Sequence, residues 1–315
     1  MKRYLWLLIP CLLVSTCAVE KRGDGIVLKV QRWGTIFPSY PTYIVGTDGA
    51  GPIDGRLPKR LGDSPEWSPD GQWIVFHTSQ YDNILTESDN SAIYLMKSDG
   101  SQRRRITDRE GYYYGPTWSP DGTRVAFEAD HRIYILAIEC LLREEECDPE
   151  PLFLVEGSAP DWSPDGRRMV YESVDNDISV VNLDGTGKPV TLTPARNSSQ
   201  GPSRTPQWSP GGERIVFSAY QVDHSDIFVM NADGSGITNL TNGSGSSSHP
   251  SWSPDGSKIA FVSTRDHSEE KLGWWEPVVP TSLYLMNSNG THVVRLSQRD
   301  DEHVLWYAWL PPASD

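Results

Sequence analysis

The pentapeptide Trp-Ser-Pro-Asp-Gly occurs at Trp67, Trp118, Trp162 and Trp252, and a fifth copy at Trp208 differs only in carrying Gly211 in place of Asp. The successive Trp residues are 51, 44, 46 and 44 positions apart. A period in the forties belongs to propeller blades and to some helical repeats. Each copy sits in the same grammar. Pro65, Pro116, Pro160, Pro206 and Pro250 precede the Trp by two positions, and an apolar run follows the Gly, as in Trp73 to His77 or Lys258 to Ser263. After a variable loop comes a second run of the form Ile-Tyr-Leu-Met, as in Ile93 to Met96 or Leu283 to Met286. Most units then have an Asx-Gly pair (Asp99-Gly100, Asp184-Gly185, Asp233-Gly234, Asn289-Gly290) and close on Ile-Thr, Leu-Thr or Leu-Ser.

Pro-Asp-Gly and Asx-Gly between apolar runs predict tight hairpin turns, with Gly supplying the positive φ they need. Each unit therefore reads as a four-stranded antiparallel meander. One meander cannot bury both of its faces, whereas a ring of them can. A helical repeat would need apolar residues at 3.6-residue spacing over ten or more positions, and no such run is present. The 27 Gly, 24 Pro and 10% aromatic residues suit short strands and turns.

The ends of the chain complete the count. Gly25 to Arg32 and Thr42 to Thr47 read as strands, with a third expected near Arg56 to Leu61, but this unit lacks the opening pentapeptide. At the other end Trp309-Leu310-Pro311 echoes Trp-Ser-Pro without a following strand. Joining the two makes one blade from both termini, which ties down ends that would fray and removes an open sheet edge. The expected fold is all-β, a six-bladed propeller over residues 25–315.

Ahead of it, Lys2 and Arg3 followed by the apolar stretch Tyr4 to Thr16 form an export signal over residues 1–17, too short for an ordinary membrane span, with a linker over 18–24. Two cleavage readings stand. Leu13 to Cys17 is similar to a lipoprotein signal, which would acylate Cys17; cleavage after Ala18 is the other. Cys140 and Cys147 are the only cysteines outside the leader, and in an exported chain such a pair predicts a disulfide. It would clip the unit that lacks the Asx-Gly turn. The formal charge of -14 makes nucleic acid a poor partner.

The pentapeptide, the Lys-Ile-Ala-Phe run, Ile-Tyr-x-Met-Asn-x-Asp-Gly and Leu-Thr together resemble the TolB-type propeller repeat, best at residues 206–241 and 250–296. The resemblance covers residues 25 to 311. It implies a binding platform in the bacterial cell envelope, and it extends to the propeller only, since the segment before Gly25 is too short for the α/β domain of TolB. The same repeat accompanies serine peptidases, but no Gly-x-Ser-x-Gly elbow is present, and the seven His show no HExxH or other metal spacing.

The pentapeptide itself reads as structural, Trp supplying apolar area between blades and Pro-Asp-Gly the turn. Arg103-Arg104-Arg105 reads as a solvated patch on an outer strand. Binding candidates are residues that differ between units at matching positions. The strand entering each pentapeptide is expected to start at the channel mouth, placing Asp63, Tyr114, Ser158, Arg204, His249 and Trp306 around one opening. Trp274 and Trp275 in a long insertion form a second candidate surface. The expected function is non-catalytic binding of a protein or peptide in the envelope by a monomer, with no cofactor and with membrane contact only through acylated Cys17. The alternative is a carbohydrate-active lyase or hydrolase at the channel mouth, for which His249 and Asp63 are the seeds.

Overall fold

The computed structural model describes residues 25–32, 42–48, 52–53, 57, 61–78, 91–107, 111–143, 147, 149–193, 203–267, 280–297 and 302–311. The leader, Cys17, the acidic run at 144–146 and Trp274-Trp275 lie outside them. The chain forms six four-stranded antiparallel sheets arranged in a ring. Blade 2 is Asp63–Trp67, Trp73–Thr78, Ala92–Lys97 and Arg104–Arg105; blade 3 is Tyr113–Trp118, Arg124–Ala129, Arg132–Ala137 and Leu152–Glu156. Blades 4, 5 and 6 open at Ser158–Trp162, Ser203–Trp208 and Ser247–Trp252. Blade 1 is made from both ends: Glu302–Trp309 is its first strand, followed by Gly25–Arg32, Thr42–Gly46 and Pro52–Ile53. Its short last strand lies earlier than the expected Arg56 to Leu61, paired to Ile44 and Val45.

The pentapeptide builds the turn as a small hydrogen-bonded knot. Ser163 Oγ donates to Asp165 Oδ1 (2.6 Å) and accepts the N–H of Arg168 (2.9 Å), while Asp165 Oδ1 also accepts the N–H of Arg167 (3.0 Å). Gly166 takes φ 67°, where a Cβ would be strained. The knot recurs around Asp121 and Asp255. The closing Thr or Ser is a latch. Thr107, Thr193, Thr241 and Ser297 each accept, on the side-chain oxygen, an N–H near the start of the third strand, from Ile93, Ile178, Ile227 and Leu283 at 3.1, 2.8, 3.0 and 3.1 Å.

Between blades, the buried Phe76, Phe127, Phe217 and Phe261 stack on Tyr94, Tyr134, Phe228 and Tyr284 of their own sheets, with centroids 5.7, 6.0, 5.6 and 5.7 Å apart. In three units the residue before the pentapeptide Trp reaches the next blade. Trp118, Trp208 and Trp252 donate their backbone N–H to Glu66 Oε2 (3.3 Å), Asp161 Oδ2 (2.7 Å) and Gln207 Oε1 (2.6 Å). The Pro of one turn packs on the Gly of the next: a Cβ on Gly212 would lie 3.6 Å from Pro164, and one on Gly71 would lie 3.3 Å from Pro311. Pro311 thus takes the place of the pentapeptide proline and closes the ring.

The C-terminal strand is fastened on both sides. Trp306 Nε1 donates to Asp63 Oδ1 of blade 2 (2.7 Å), and Tyr307 donates its hydroxyl to the carbonyls of Ala260 (2.9 Å) and His249 in blade 6. Two features differ from the sequence reading. A single helical turn, Glu139–Leu142, replaces the missing Asx-Gly turn, held by the Cys140–Cys147 disulfide with Cα atoms 6.3 Å apart. Arg103 is exposed but lies over the Tyr94 ring at 4.4 Å, so it covers an aromatic face instead of standing free in solvent.

Candidate functional site: the channel and its mouth

The first strands of all six blades line a central cavity of ≈ 500 Å³. None of the five that precede a pentapeptide is regular. The pairing register slips just before the repeated Pro, between Asp63 and Glu66, Tyr114 and Thr117, Ser158 and Asp161, Arg204 and Gln207, and Ser248 and Ser251. At each slip one residue is left-handed: Ser64 (φ 47°), Gly115 (53°), Ala159 (49°), Thr205 (50°) and His249 (51°). Such a bulge re-aims the side chains around it. Here the bulge residue and the one after the Pro line the cavity, and the residue before the bulge, paired with the second strand, is the position expected at the rim; of these five positions Ser248 is itself in the cavity lining.

This places the candidates in two tiers. Asp63, Tyr114, Ser158, Arg204 and Ser248 are the equivalent rim positions, opposite His77, Glu128, Glu172, Ser218 and Val262. His249 lies one position further, in the channel wall beside Trp306. Asp63 is occupied internally: its carboxylate accepts from Lys29 Nζ and Trp306 Nε1, both at 2.7 Å. Burial alone would raise its pKa, but these partners hold it below the usual value. Trp306, 8% exposed, is equally committed to that contact. Tyr114 is 40% exposed, with its ring edge-on to His77 at 5.5 Å. Arg204 reaches across to Glu172 at 3.0 Å, its own side chain 56% exposed against 8% for the glutamate. Burial raises the pKa of Glu172, and Arg204 opposes that shift. Tyr114 and Arg204 are therefore the rim candidates open to a ligand.

Glu66 and Asp161 were not singled out from sequence. Both face the cavity. Burial, and for Glu66 also the charge of Asp161, raises their pKa values to about 8 and about 7. The signal was present: the position after the repeated Pro reads Glu66, Thr117, Asp161, Gln207 and Ser251, a set that varies as much as the rim set. His249 has Nδ1 3.0 Å from Ser248 Oγ, and the surrounding protein lowers its pKa even though the ring is exposed to the channel. Among the described residues no group of three or more His, Cys, Asp or Glu is placed to hold a metal ion.

Comparison with known proteins agrees with this architecture. Residues 156–305 match the TolB beta propeller domain. The chain thus carries a TolB-type β-propeller repeat. The solved TolB of Acinetobacter baumannii superposes with a TM-score of 0.65 at 21% identity, over 92% of this chain and 67% of that one, a likeness of fold. Among curated proteins, a dipeptidyl-peptidase 5 of Porphyromonas gingivalis is 38% identical over 60 residues, 19% of this chain and 9% of that protein. An uncharacterized peptidase of Bacillus subtilis is 29% identical over 83 residues, 26% of this chain and 12% of that protein. The matches thus span only a small part of these peptidases.

Proposed function

We propose that the protein is an exported propeller whose channel mouth docks a peptide segment or protein partner in the bacterial cell envelope. The observation that carries this is where the repeat varies. The turn, the latch and the aromatic stack recur from blade to blade, while the rim and channel positions are Asp, Tyr, Ser, Arg and Ser above Ser, Gly, Ala, Thr and His. Symmetric structure with unsymmetric lining is what recognition of an unsymmetric ligand requires. An exposed Tyr and Arg at the rim are side chains enriched at interfaces. The Cys140–Cys147 disulfide and the leader at residues 1–17 support export. Acylation of Cys17 is the proposed means of membrane attachment; mass spectrometry of the mature N-terminus tests it, and an unmodified Val19 start counts against it.

The docking proposal is tested by affinity capture from the native envelope with the wild type and a Tyr114→Ala, Arg204→Glu double variant. A partner retained by the first and lost by the second supports it; identical capture profiles oppose it. Trp274 and Trp275, replaced together by Ala, test the second candidate surface in the same assay. One observation favours a second reading, a polysaccharide lyase or hydrolase: two carboxyls with raised pKa values face one cavity, the arrangement acid–base chemistry uses. That reading requires turnover of an envelope polysaccharide that Glu66→Gln abolishes.

A further inference from the structure

Blade 3 ends differently from its neighbours. In the other five blades the outermost strand is two residues long, as in Arg104–Arg105 or Val294–Arg295. In blade 3 it is Leu152–Glu156, five residues, and among the described residues no strand pairs with its outer side. Native edge strands are kept short, charged or bulged, because a row of unpaired N–H and C=O groups recruits other strands. This one has a single bulge, at Leu154, between the Ile133–Val155 and Tyr134–Phe153 pairs. Its side chains up to Glu156 are apolar. Leu154 and Val155 pack on the cluster that holds Ile133 and Trp162, whereas Leu152 is 70% exposed and Phe153 50%. The loop leading into the strand is clipped by the Cys140–Cys147 disulfide.

The aromatic row of blade 3 is open at the same edge. In blades 2 and 6 the stacked pair is covered by a guanidinium: Arg103 lies 4.4 Å from the Tyr94 ring, and Arg265 lies 5.0 Å from both Phe261 and Tyr284. In blade 3 the row instead crosses all four strands, from Tyr113 to Phe127 to Tyr134 to Phe153, with centroids 5.8, 6.0 and 5.9 Å apart. Its last ring is the half-exposed Phe153. Glu150 and Glu156, both exposed, flank the strand.

We propose that the outer edge of blade 3 is a strand-addition site, which takes an extended apolar segment of a partner protein, flanked by basic residues, as a fifth strand. Main-chain hydrogen bonds supply the affinity, and the spaces for alternate side chains supply the selectivity. An aromatic residue of the segment extends the row beyond Phe153. Its basic flanks meet Glu150 and Glu156. A second copy of this chain fits less well. Five residues a side fall far short of the roughly 20–30 that a stable interface uses. Antiparallel self-pairing would also bring Glu156 of each copy to the end of the strand where Glu150 of the other lies. The site is on the outside of the ring and does not depend on the channel mouth binding anything.

The test uses acetyl-Lys-Val-Phe-Val-Lys-amide as probe with the disulfide-intact protein, read by NMR titration and by hydrogen exchange of the Leu152–Glu156 amides. Exchange there is expected to be fast in the free protein and slowed by saturating peptide. N-methyl groups on two consecutive residues leave neither edge of the peptide able to pair, and are expected to weaken binding at least about ten-fold. Phe153→Ser is expected to weaken it several-fold. Should Phe153→Ser fail to fold, Glu150→Gln combined with Glu156→Gln decides, with an expected loss of the preference for this peptide over its Gln-flanked analogue. No saturable binding, equal affinity for the N-methylated peptide, undiminished binding by Phe153→Ser, or an unchanged preference in the double variant would each overturn the proposal. So would slow exchange at Leu152–Glu156 in the free monomer, because the chain would then cover its own edge. Dimerisation that Phe153→Ser abolishes would overturn it too, by making a second copy the occupant.

Discussion

Glu66, Asp161 and Gln207 perform one task with three chemistries. Each accepts the backbone N–H of the next blade's Trp, yet two are carboxyls that burial pushes towards the neutral form and the third is an amide with no charge to lose. The linkage sign follows. An unfolded Glu releases its proton near pH ~4.3, whereas Glu66 in the fold retains it to about 8. Between those values the folded state binds more protons, so stability falls as pH rises. Glu66→Gln keeps the acceptor and removes the titration. It is expected to raise stability at pH 8 by about 1–2 kcal/mol and to leave stability near pH 4 almost unchanged. Denaturant melts at the two pH values check this, and an equal effect at both would refute the raised pKa.

Gly211 offers a second residue-level prediction. It replaces the turn aspartate in blade 5, where Ser209 Oγ already accepts the Arg214 N–H at 3.0 Å. Nothing lies within 4 Å of where its Cβ would be, and its φ is not in the left-handed region. Gly211→Asp is therefore expected to complete the knot and stabilise the protein by about 0.5–1 kcal/mol. A lower melting temperature would contradict the reading of the pentapeptide as a structural turn.

At the scale of the element, the blade grammar was legible because each of its signals is local. Asx-Gly turns, Thr latches and apolar runs each fix a few neighbouring residues. Other features were not legible. A residue before proline is biased towards extended backbone, yet Ser64, Ala159, Thr205 and His249 are left-handed, and this bulge is what turns Glu66 and Asp161 into the channel and leaves Tyr114 and Arg204 paired with the second strand. The helical turn at Glu139–Leu142 is too short to leave a periodic pattern, and only the cysteine pair signalled it. The disulfide closes a short loop, so its reduction is expected to destabilise the protein by about 2 kcal/mol. If Cys140 and Cys147 both react with an alkylating reagent before reduction, the loop is not clipped as described. Deep in the blade, Phe217 is fully buried and stacked on Phe228, and Phe217→Ala is expected to cost about 3–5 kcal/mol.

At the scale of the molecule, ring closure was readable from two incomplete ends, an opening strand missing from one and spare at the other. Its fastenings depend on contacts between blades far apart in sequence, and no local signal gives those. Tyr307 reaches blade 6 and Trp306 reaches blade 2, so the C-terminal strand is held by both neighbours. Tyr307→Phe removes one fastening and is expected to destabilise the protein by about 1–2 kcal/mol, with hydrogen exchange rising first in Glu302–Trp309 and Gly25–Arg32. Exchange rising uniformly would contradict that role. The ring then presents one face where the repeat's variable residues converge, and recognition by that face is the central claim. Photo-crosslinking in the native envelope tests it most directly, with a photoreactive residue placed at Tyr114, Arg204 or Ser248 on the rim, or at Val190 or Val294 on outer strands. A common adduct from the rim positions and none from the outer strands is predicted; adducts from Val190 or Val294 with none from the rim would contradict it.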